Sequence, residues 1–244
     1  MRTIDRRVGA AMLAIGLAAC ATHPLDPEVA SRLKRLGVIS MAAPEFDRVY
    51  VAVVVFGSQT ETRDITSWGV DKAYEDQIAA AAETVTKATI VRAPYLIADF
   101  IHVNDLNGPV DYPLFWDPNW DKVRATAKTY CDANSLDAII FATRQRNTDF
   151  IGGSDQRLDG AGVYARTNVA KLYLGTRLTL FDCSTGKPLL LRRATPTKDI
   201  PRELAVNPIP QWTTQDETTL RQELIGLPAS AWTDMLRDMF AQGK

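Results

Sequence analysis

Segments with the spacing of strands alternate along this chain with segments that have the spacing of helices. Residues 48–56 are almost unbroken apolar sequence, which is typical of a central strand buried on both faces. Residues 71–88 carry apolar side chains at helical spacing and predict an amphipathic helix. Strict alternation over residues 171–180 predicts a strand with one buried face. Together these patterns predict an α/β (α+β) fold: a single domain with a mixed β-sheet of about five to seven strands and flanking helices.

Residues 145–168 interrupt this alternation. They contain several glycines and aspartates and have no hydrophobic stripe before Val163. Glycine and aspartate favour turns, so the segment is expected to be a long loop or a splayed hairpin tip. Further on, residues 182–187 have turn chemistry, and Thr214 with Glu217 has the spacing of a helix capping box.

The first twenty residues have the composition of an export signal. Arginines at positions 2, 6 and 7 precede a short apolar stretch, residues 8–17, which is well below the roughly 20 residues that a spanning helix needs. The next residues, Leu17-Ala18-Ala19-Cys20, resemble the bacterial lipobox. This resemblance implies that residues 1–19 are a lipoprotein signal peptide and that Cys20 is lipidated at the mature N-terminus.

The same resemblance implies a location. In lipoproteins of this type, the residue after the cysteine sorts between membranes, and an aspartate there retains the protein in the inner membrane. Ala21 stands at that position, so the expected site is the periplasmic face of the outer membrane. Residues 20–27 would form a lipidated tether and residues 28–244 a single periplasmic α/β domain. The arginine pair at positions 6 and 7 leaves twin-arginine export open beside general secretion.

The composition argues against two function classes. The 28 basic residues balance 29 acidic residues, for a net charge of −1, which is not the charge of a nucleic-acid binder. The sequence has two histidines, His23 and His102, which are too few for a zinc site, and no serine lies in a Gly-x-Ser-x-Gly elbow. We predict no nucleic-acid partner, no metal, no cofactor and no catalytic residues.

Three aspartates of the Gly-rich segment are candidate site residues: Asp149, Asp155 and Asp159. They could contact a partner, or they could serve a periplasmic hydrolase that uses the acidic residues of the 149–160 loop. A deep pocket that holds two of these carboxylates in unlike environments would favour the hydrolase, whereas a flat or convex surface would favour binding.

Two further groups could have a role outside the core. Tyr112, Phe115 and Trp116 cluster near prolines, and such aromatic groups are frequent at binding hot spots, although aromatic groups of this kind more often belong to the core. With Cys20 acylated, Cys131 and Cys183 remain as a pair in a compartment that oxidises thiols. They are a possible disulfide, and two buried thiols are the alternative.

Part of the chain resembles a family. The resemblance rests on four features in order: a strand that begins at Asp137, a Gly-rich segment, an alternating strand that ends in Asp182-x-x-Thr-Gly-Lys, and a return strand. This order is similar to that of small periplasmic α/β lipoproteins. This group includes the curli-secretion lipoprotein and the activator of penicillin-binding proteins. The likeness implies a compact mixed sheet. It also implies a role in binding or assembly and not in catalysis. The chain departs from the group at Thr143, where glycine is frequent, and at residues 189–191, where tryptophan is frequent.

The function expected from these observations is that of a non-enzymatic binding or assembly accessory, anchored in the outer membrane, for an envelope protein or the cell wall. The periplasmic hydrolase described above is the first alternative. A structural lipoprotein that assembles with itself through the exposed edge of its sheet is the second. The sequence leaves the oligomeric state and the partner open.

Overall fold

A computed structural model describes residues 24–52, 57–100, 102–103 and 119–241, with the backbone alone for residues 119–121. The predicted signal peptide, Cys20, and the aromatic residues Tyr112, Phe115 and Trp116 lie outside these ranges. Among the described residues, no helix combines the length and the apolar character that crossing a bilayer requires.

The described residues form both helices and strands, as predicted. The strands are β1 (Arg35–Met41), β2 (Glu45–Val51), β3 (Gln59–Asp64), β4 (Thr89–Val91), β5 (Ala138–Arg144), β6 (Arg146–Thr148), β7 (Arg157–Asp159), β8 (Ala161–Arg166), β9 (Val169–Leu174), β10 (Thr176–Asp182), β11 (Lys187–Ala194) and β12 (Thr197–Asp199). The helices are α1 (Pro27–Arg32), α2 (Val70–Val85), α3 (Ile97–Phe100), α4 (Asn119–Asn134), α5 (Arg202–Val206), α6 (Thr214–Gly226) and α7 (Ala229–Phe240).

The strands form two mixed sheets of five strands each. The first sheet has the order β11-β10-β5-β1-β4, with β1 parallel to both β4 and β5. The second has the order β12-β9-β8-β2-β3, with β2 parallel to β8, and β6 and β7 form a separate hairpin. The predicted single α/β domain is confirmed, but its strands are divided between two sheets, and the chain crosses from one sheet to the other between consecutive strands such as β9 and β10.

The link at Gly175 shows how a strand divides. Gly175 donates a backbone hydrogen bond to Gly160 and accepts one from Gln145, both of which lie between other strands. Its neighbours therefore pair in different sheets, and the alternating segment 171–180 is two strands and not one. The prediction of a single buried face was also wrong for β10, because helices cover both faces of the first sheet and all of β10 is buried.

The core lies on both faces of the first sheet. One face packs against α2 and α7, and the opposite face packs against α3 and α4, while α6 packs against α2 and β9 of the second sheet. Trp232 of α7 is fully buried and meets the ring of Tyr74 edge-on, with 5.6 Å between ring centroids. The Tyr74 hydroxyl donates to the carbonyl of Leu224 at 2.7 Å, which ties α2 to α6. Burying one such large side chain stabilises the fold by about 1.5–3 kcal/mol.

The Gly-rich segment is more ordered than a loop. Its first part is the β6–β7 hairpin, as predicted, but residues 161–166 are β8, the middle strand of the second sheet. Sequence patterning missed β8 because three of its six residues are glycine or alanine. A side chain at Gly162 would overlap the Asp47 carbonyl and the Tyr173 hydroxyl, so the position excludes the larger residues that usually mark strands.

Two other predictions need correction. The strand predicted at 48–56 is β2, which starts earlier than predicted; residues 53–56 lie outside the described residues. β2 lies beside the edge strand β3, and Asp47 of β2 is only partly buried. The capping box is formed by Thr213 and Asp216, one residue before the predicted pair. Thr213 has the extended backbone of an N-cap, and Glu217 instead pairs with Arg63.

Candidate functional site

The β6–β7 hairpin covers one face of the second sheet. Phe150 and Leu158 of the hairpin pack with apolar residues of β2, β8 and β9 in a small separate cluster, and the Phe150 ring meets the Tyr173 ring edge-on with 6.1 Å between centroids. The residues between the two strands, 149–156, are named the Asp149 loop here. The loop is therefore carried by a hairpin with its own apolar support.

The carboxylate of Asp149 fixes the conformation of this loop. Oδ1 accepts hydrogen bonds from the backbone N–H groups of Ile151 (2.8 Å) and Gly152 (2.7 Å). Oδ2 accepts from the N–H and hydroxyl of Ser154 (2.9 and 2.5 Å) and from the hydroxyl of Tyr164 (2.8 Å). Burial alone would raise the pKa of Asp149, but the bonds from Gly152, Ser154 and Tyr164 outweigh burial and lower the pKa to about 2.

Replacing Asp149 with Ala is expected to lower the free energy of unfolding by about 3 kcal/mol at pH 7, because buried donors lose a charged acceptor. The stabilisation from Asp149 is fully present above its ordinary pKa of about 4 and is lost as the pH falls towards 2. Urea unfolding at pH 7 and pH 3 measures both effects. Ser154→Ala, which removes a single hydroxyl donor, is the matched control at about 1 kcal/mol. A loss from Asp149→Ala no larger than that of the control would contradict this role.

The three predicted aspartates do not converge. Asp149 is buried and bound by its own loop, whereas Asp155 is exposed in the middle of that loop. Asp159 lies at the end of β7, where Arg146 approaches its carboxylate at 3.6 Å. Among the described residues, the three carboxylates therefore do not form one cluster.

Asp159 instead faces a crevice between the two sheets, named the Asp47 crevice here. The crevice has a volume of about 130 Å³ and is lined by Ala42, Pro44, Glu45, Asp47, Thr62, Arg144, Asp159 and Gly160. It lies at the carboxyl ends of the parallel strands β1 and β5. Open α/β sheets bind ligands at such a position. The volume is well below the roughly 300 Å³ of a small-molecule site, so the crevice admits water and not a sugar.

Asp47 is the unusual group in this crevice, and the sequence analysis missed it. Burial raises the pKa of Asp47 to about 6; the hydrogen bond from Thr62 at 2.7 Å lowers it, and the negative charge of Asp159 raises it further. Arg144 is paired with Glu45 at 2.6 Å. Asp47 can therefore exchange a proton near neutral pH.

Replacing Asp47 with Asn is expected to stabilise the protein by about 1–2 kcal/mol at pH 7, less than the full shift implies because solvent screens a partly exposed group. The folded pKa of Asp47 is raised, so its contribution favours folding below about pH 4 and is lost as the pH rises through about 6. Asp47→Asn should flatten the change of stability between pH 4 and pH 7. The exposed Asp234 gives the control Asp234→Asn, and equal pH profiles for the two variants in urea unfolding would contradict the assignment.

A second polar cavity lies at the half-open edge of β1. Among the described strands, the short β4 pairs only with the beginning of β1. The Tyr95 hydroxyl bonds both backbone groups of Ser40 beyond it, at 3.0 and 3.2 Å. Asp71 accepts from the Ser40 hydroxyl (2.8 Å) and from the N–H of Ala42 (2.7 Å). Burial raises the pKa of Asp71, although these hydrogen bonds act to lower it. The cavity, of about 450 Å³, also has Glu75 and Arg92 on its wall.

The sequence carries no signal for this second site. An aspartate in the first turn of a helix is common, because it complements the helix dipole, so Asp71 does not stand out. The hydrogen bonds of Asp71 and Tyr95 support the β1 edge and thus have a structural role.

The remaining predicted residues divide into two groups. Tyr112, Phe115 and Trp116 lie outside the described residues, so the aromatic patch stays a prediction. The structure places Cys131, near the end of α4, and Cys183, after β10, in a disulfide with 5.8 Å between Cα atoms.

His102 is exposed. Within the described ranges, no group of three or more His, Cys, Asp or Glu residues could hold a metal ion.

No protein-family model matches this sequence, and no curated protein matches it. Among solved structures, the chain is similar to the PelC dodecamer from Paraburkholderia phytofirmans, with 8% identity, coverage of 90% of this chain and 95% of that chain, and a TM-score of 0.37. It is similar to lipoprotein GNA1162 from Neisseria meningitidis, with 12% identity, coverage of 79% and 96%, and a TM-score of 0.33. It is also similar to the LpoB C-terminal domain from Salmonella enterica, with 9% identity, coverage of 76% and 92%, and a TM-score of 0.26. Identities and TM-scores this low transfer no function, so the function has to be argued from the residues of this chain.

Proposed function

We propose that this chain is a lipoprotein anchored through Cys20 at the periplasmic face of the outer membrane, where it binds an envelope component through the Asp149 loop. It acts as a binding or assembly accessory and not as an enzyme. The lipobox supports the anchor. The Cys131–Cys183 disulfide supports the compartment, because disulfides persist where thiols are oxidised.

The observation that carries the binding role is the internal bonding of the Asp149 loop. Its backbone is held by the Asp149 carboxylate from within, while Gly153, Asp155 and Arg157 are exposed. A loop that is ordered before it meets a partner loses little entropy on binding, so more of the contact energy appears as affinity. The partner is an envelope protein or a cell-wall glycan.

The glycines of the loop support the same role. Gly153 adopts a left-handed backbone with φ of +65°, which favours glycine. At Gly152 a side chain would overlap the Tyr164 hydroxyl that binds Asp149. Both glycines therefore serve a fixed loop shape, which a flexible linker would not need.

Crosslinking in intact cells tests this function. A photoreactive amino acid replaces Asp155, and in the matched control it replaces Asp234, an exposed aspartate on α7. We expect the Asp155 probe to capture one discrete protein or glycan, identified by mass spectrometry, which the Asp234 probe does not capture. A third probe at Trp116 tests the predicted aromatic patch.

Two results would contradict this binding function. Capture of the same species at Asp155 and Asp234 would indicate non-specific proximity. No capture at Asp155, in cells where the chain is found in the outer-membrane fraction, would remove the Asp149 loop as the binding surface.

A further inference from the structure

The edge strand β3 leaves one side of the second sheet open. Within the described part of the chain, β3 pairs only with β2, and Thr60, Thr62 and Asp64 are exposed. An edge strand has a row of backbone N–H and C=O groups without strand partners and is a template for another strand. The question is which strand it accepts.

The other sheet edges in the described part of the chain are short or protected. β4 and β12 have three residues each. β11 is longer, but it contains Pro188 and faces a register irregularity at Leu180 and Phe181 of β10. Proline and bulges are devices that prevent edge pairing. β3 has six residues and neither of these devices, so it is the edge best suited to add a strand.

The hydrogen bonds of β2 and β3 show which groups of β3 face outwards. Ile65 donates its N–H to the carbonyl of Pro44 at 3.1 Å, in register with the β2–β3 ladder. Bonded and non-bonded pairs alternate in an antiparallel ladder, so the odd-numbered residues of β3 bond to β2. The backbone groups of Thr60, Thr62 and Asp64 therefore point to the open edge.

In one register, β3 can pair with a second copy of itself so that its outward backbone groups are hydrogen-bonded and opposite charges face each other. If two copies pair antiparallel with Thr62 opposite Thr62, then Thr60 faces Asp64, and the outward backbone groups of all three residues are bonded. The same register places Glu61 opposite Arg63 on each side of the two-fold axis. Opposite charges in such cross-strand pairs are stabilising.

The neighbouring registers are worse. Centring the pair on Glu61 would place two like charges opposite each other, which is destabilising. Centring it on Thr60 would leave Asp64 without a partner strand. Glu61 and Arg63 already pair with Arg48 and Glu217, yet 31% and 36% of their side-chain surfaces stay exposed for a second contact.

We propose that two copies of this chain associate through an antiparallel β3–β3 pair centred on Thr62, which joins their second sheets into one continuous sheet. The occupant is a second copy because the strand is complementary to itself in charge and in backbone register. This inference goes beyond the proposed function and does not depend on it.

Engineered cysteines test the register in the full-length protein. Residues opposite each other in a bonded antiparallel pair have Cα atoms about 5.5 Å apart, which suits a disulfide. Thr62→Cys should therefore give a disulfide-linked dimer under mild oxidation. Thr60→Cys is the matched control, because its two copies would lie about 14 Å apart in this register. Unmodified protein, run beside them, accounts for any crosslink through native cysteines.

A backbone substitution tests the same contact without crosslinking. Thr62→Pro removes an N–H that faces the open edge, whereas Thr62→Val keeps this N–H; both lose the hydroxyl bond to Asp47. Two backbone bonds are lost per dimer, so Thr62→Pro should raise the dissociation constant roughly thirtyfold. Thr62→Val should stay close to the unmodified protein in analytical ultracentrifugation.

Each outcome decides the proposal. A Thr62→Cys dimer without a Thr60→Cys dimer supports it. No Thr62→Cys dimer in a folded protein overturns it, as does a Thr60→Cys dimer alone. If Thr62→Cys instead links to a different protein, β3 accepts a foreign strand and the second-copy proposal is wrong. Should Thr62→Pro fail to fold, the cysteine pair still decides.

Discussion

Replacing Cys20 with Ser is expected to remove the protein from the outer-membrane fraction and to abolish incorporation of labelled palmitate. Serine has no thiol to accept the diacylglycerol that the lipobox resemblance implies. Each buried methylene of an acyl chain contributes about 0.8 kcal/mol, so two or three chains hold a protein on a bilayer. The described helices offer no spanning segment as a substitute. The loss from the outer membrane should therefore be nearly complete.

Ala21→Asp is the matched control for this experiment. It keeps the lipid, and by the sorting behaviour of such lipoproteins it should move the protein to the inner membrane. Separation of the two membranes by density, with palmitate labelling of each variant, distinguishes loss of the lipid from transfer of the protein to the other membrane. Retention of Cys20→Ser in the outer membrane would contradict the lipid anchor.

Replacing Cys131 and Cys183 with Ala is expected to lower the free energy of unfolding by about 4 kcal/mol. The two cysteines are 52 residues apart in sequence, and a cross-link over a loop of this length restricts the unfolded chain strongly. The bond also joins the end of α4 to the end of β10, two elements that are distant along the chain. Urea unfolding with and without reductant measures the effect.

The single variants provide the control for the disulfide. Cys131→Ala and Cys183→Ala each break the same bond, so each should lose about as much stability as the double variant. Reductant should destabilise the unmodified protein and leave the double variant unchanged. Two free thiols at these positions in the unmodified protein, detected by mass after alkylation, would contradict the pairing.

The secondary structure was largely predictable from the sequence, because spacing reports which face of an element is buried. The helical spacing around Tyr74 and Ile78 gives α2, and both residues are fully buried. The division at Gly175 was not predictable, since it depends on backbone contacts with Gln145 and Gly160 that local spacing does not encode. β8 was missed for a related reason: half of its residues are glycine or alanine, and at Gly162 a side chain would overlap Tyr173 on the neighbouring strand.

The candidate site was less predictable than the fold. An aspartate in the sequence carries no sign of whether it is exposed, so Asp149, Asp155 and Asp159 looked equivalent. The structure separates them into a loop-fixing carboxylate, an exposed one, and one in the Asp47 crevice. Asp47 itself was hidden within a strand pattern, and its raised pKa arises mainly from burial, with the negative charge of Asp159 on β7 raising it further.

The central claim is that a loop fixed by Asp149 presents a binding surface to an envelope component. Crosslinking from Asp155 in intact cells tests it most directly when it is repeated in an Asp149→Ala background. Asp71→Ala is the matched control, because it removes a buried carboxylate that accepts several bonds far from the loop in sequence. With all chains equally abundant in the outer membrane, we expect capture in the parent and in Asp71→Ala, and none in Asp149→Ala. Undiminished capture in Asp149→Ala, or no capture in any of the three, would contradict the account.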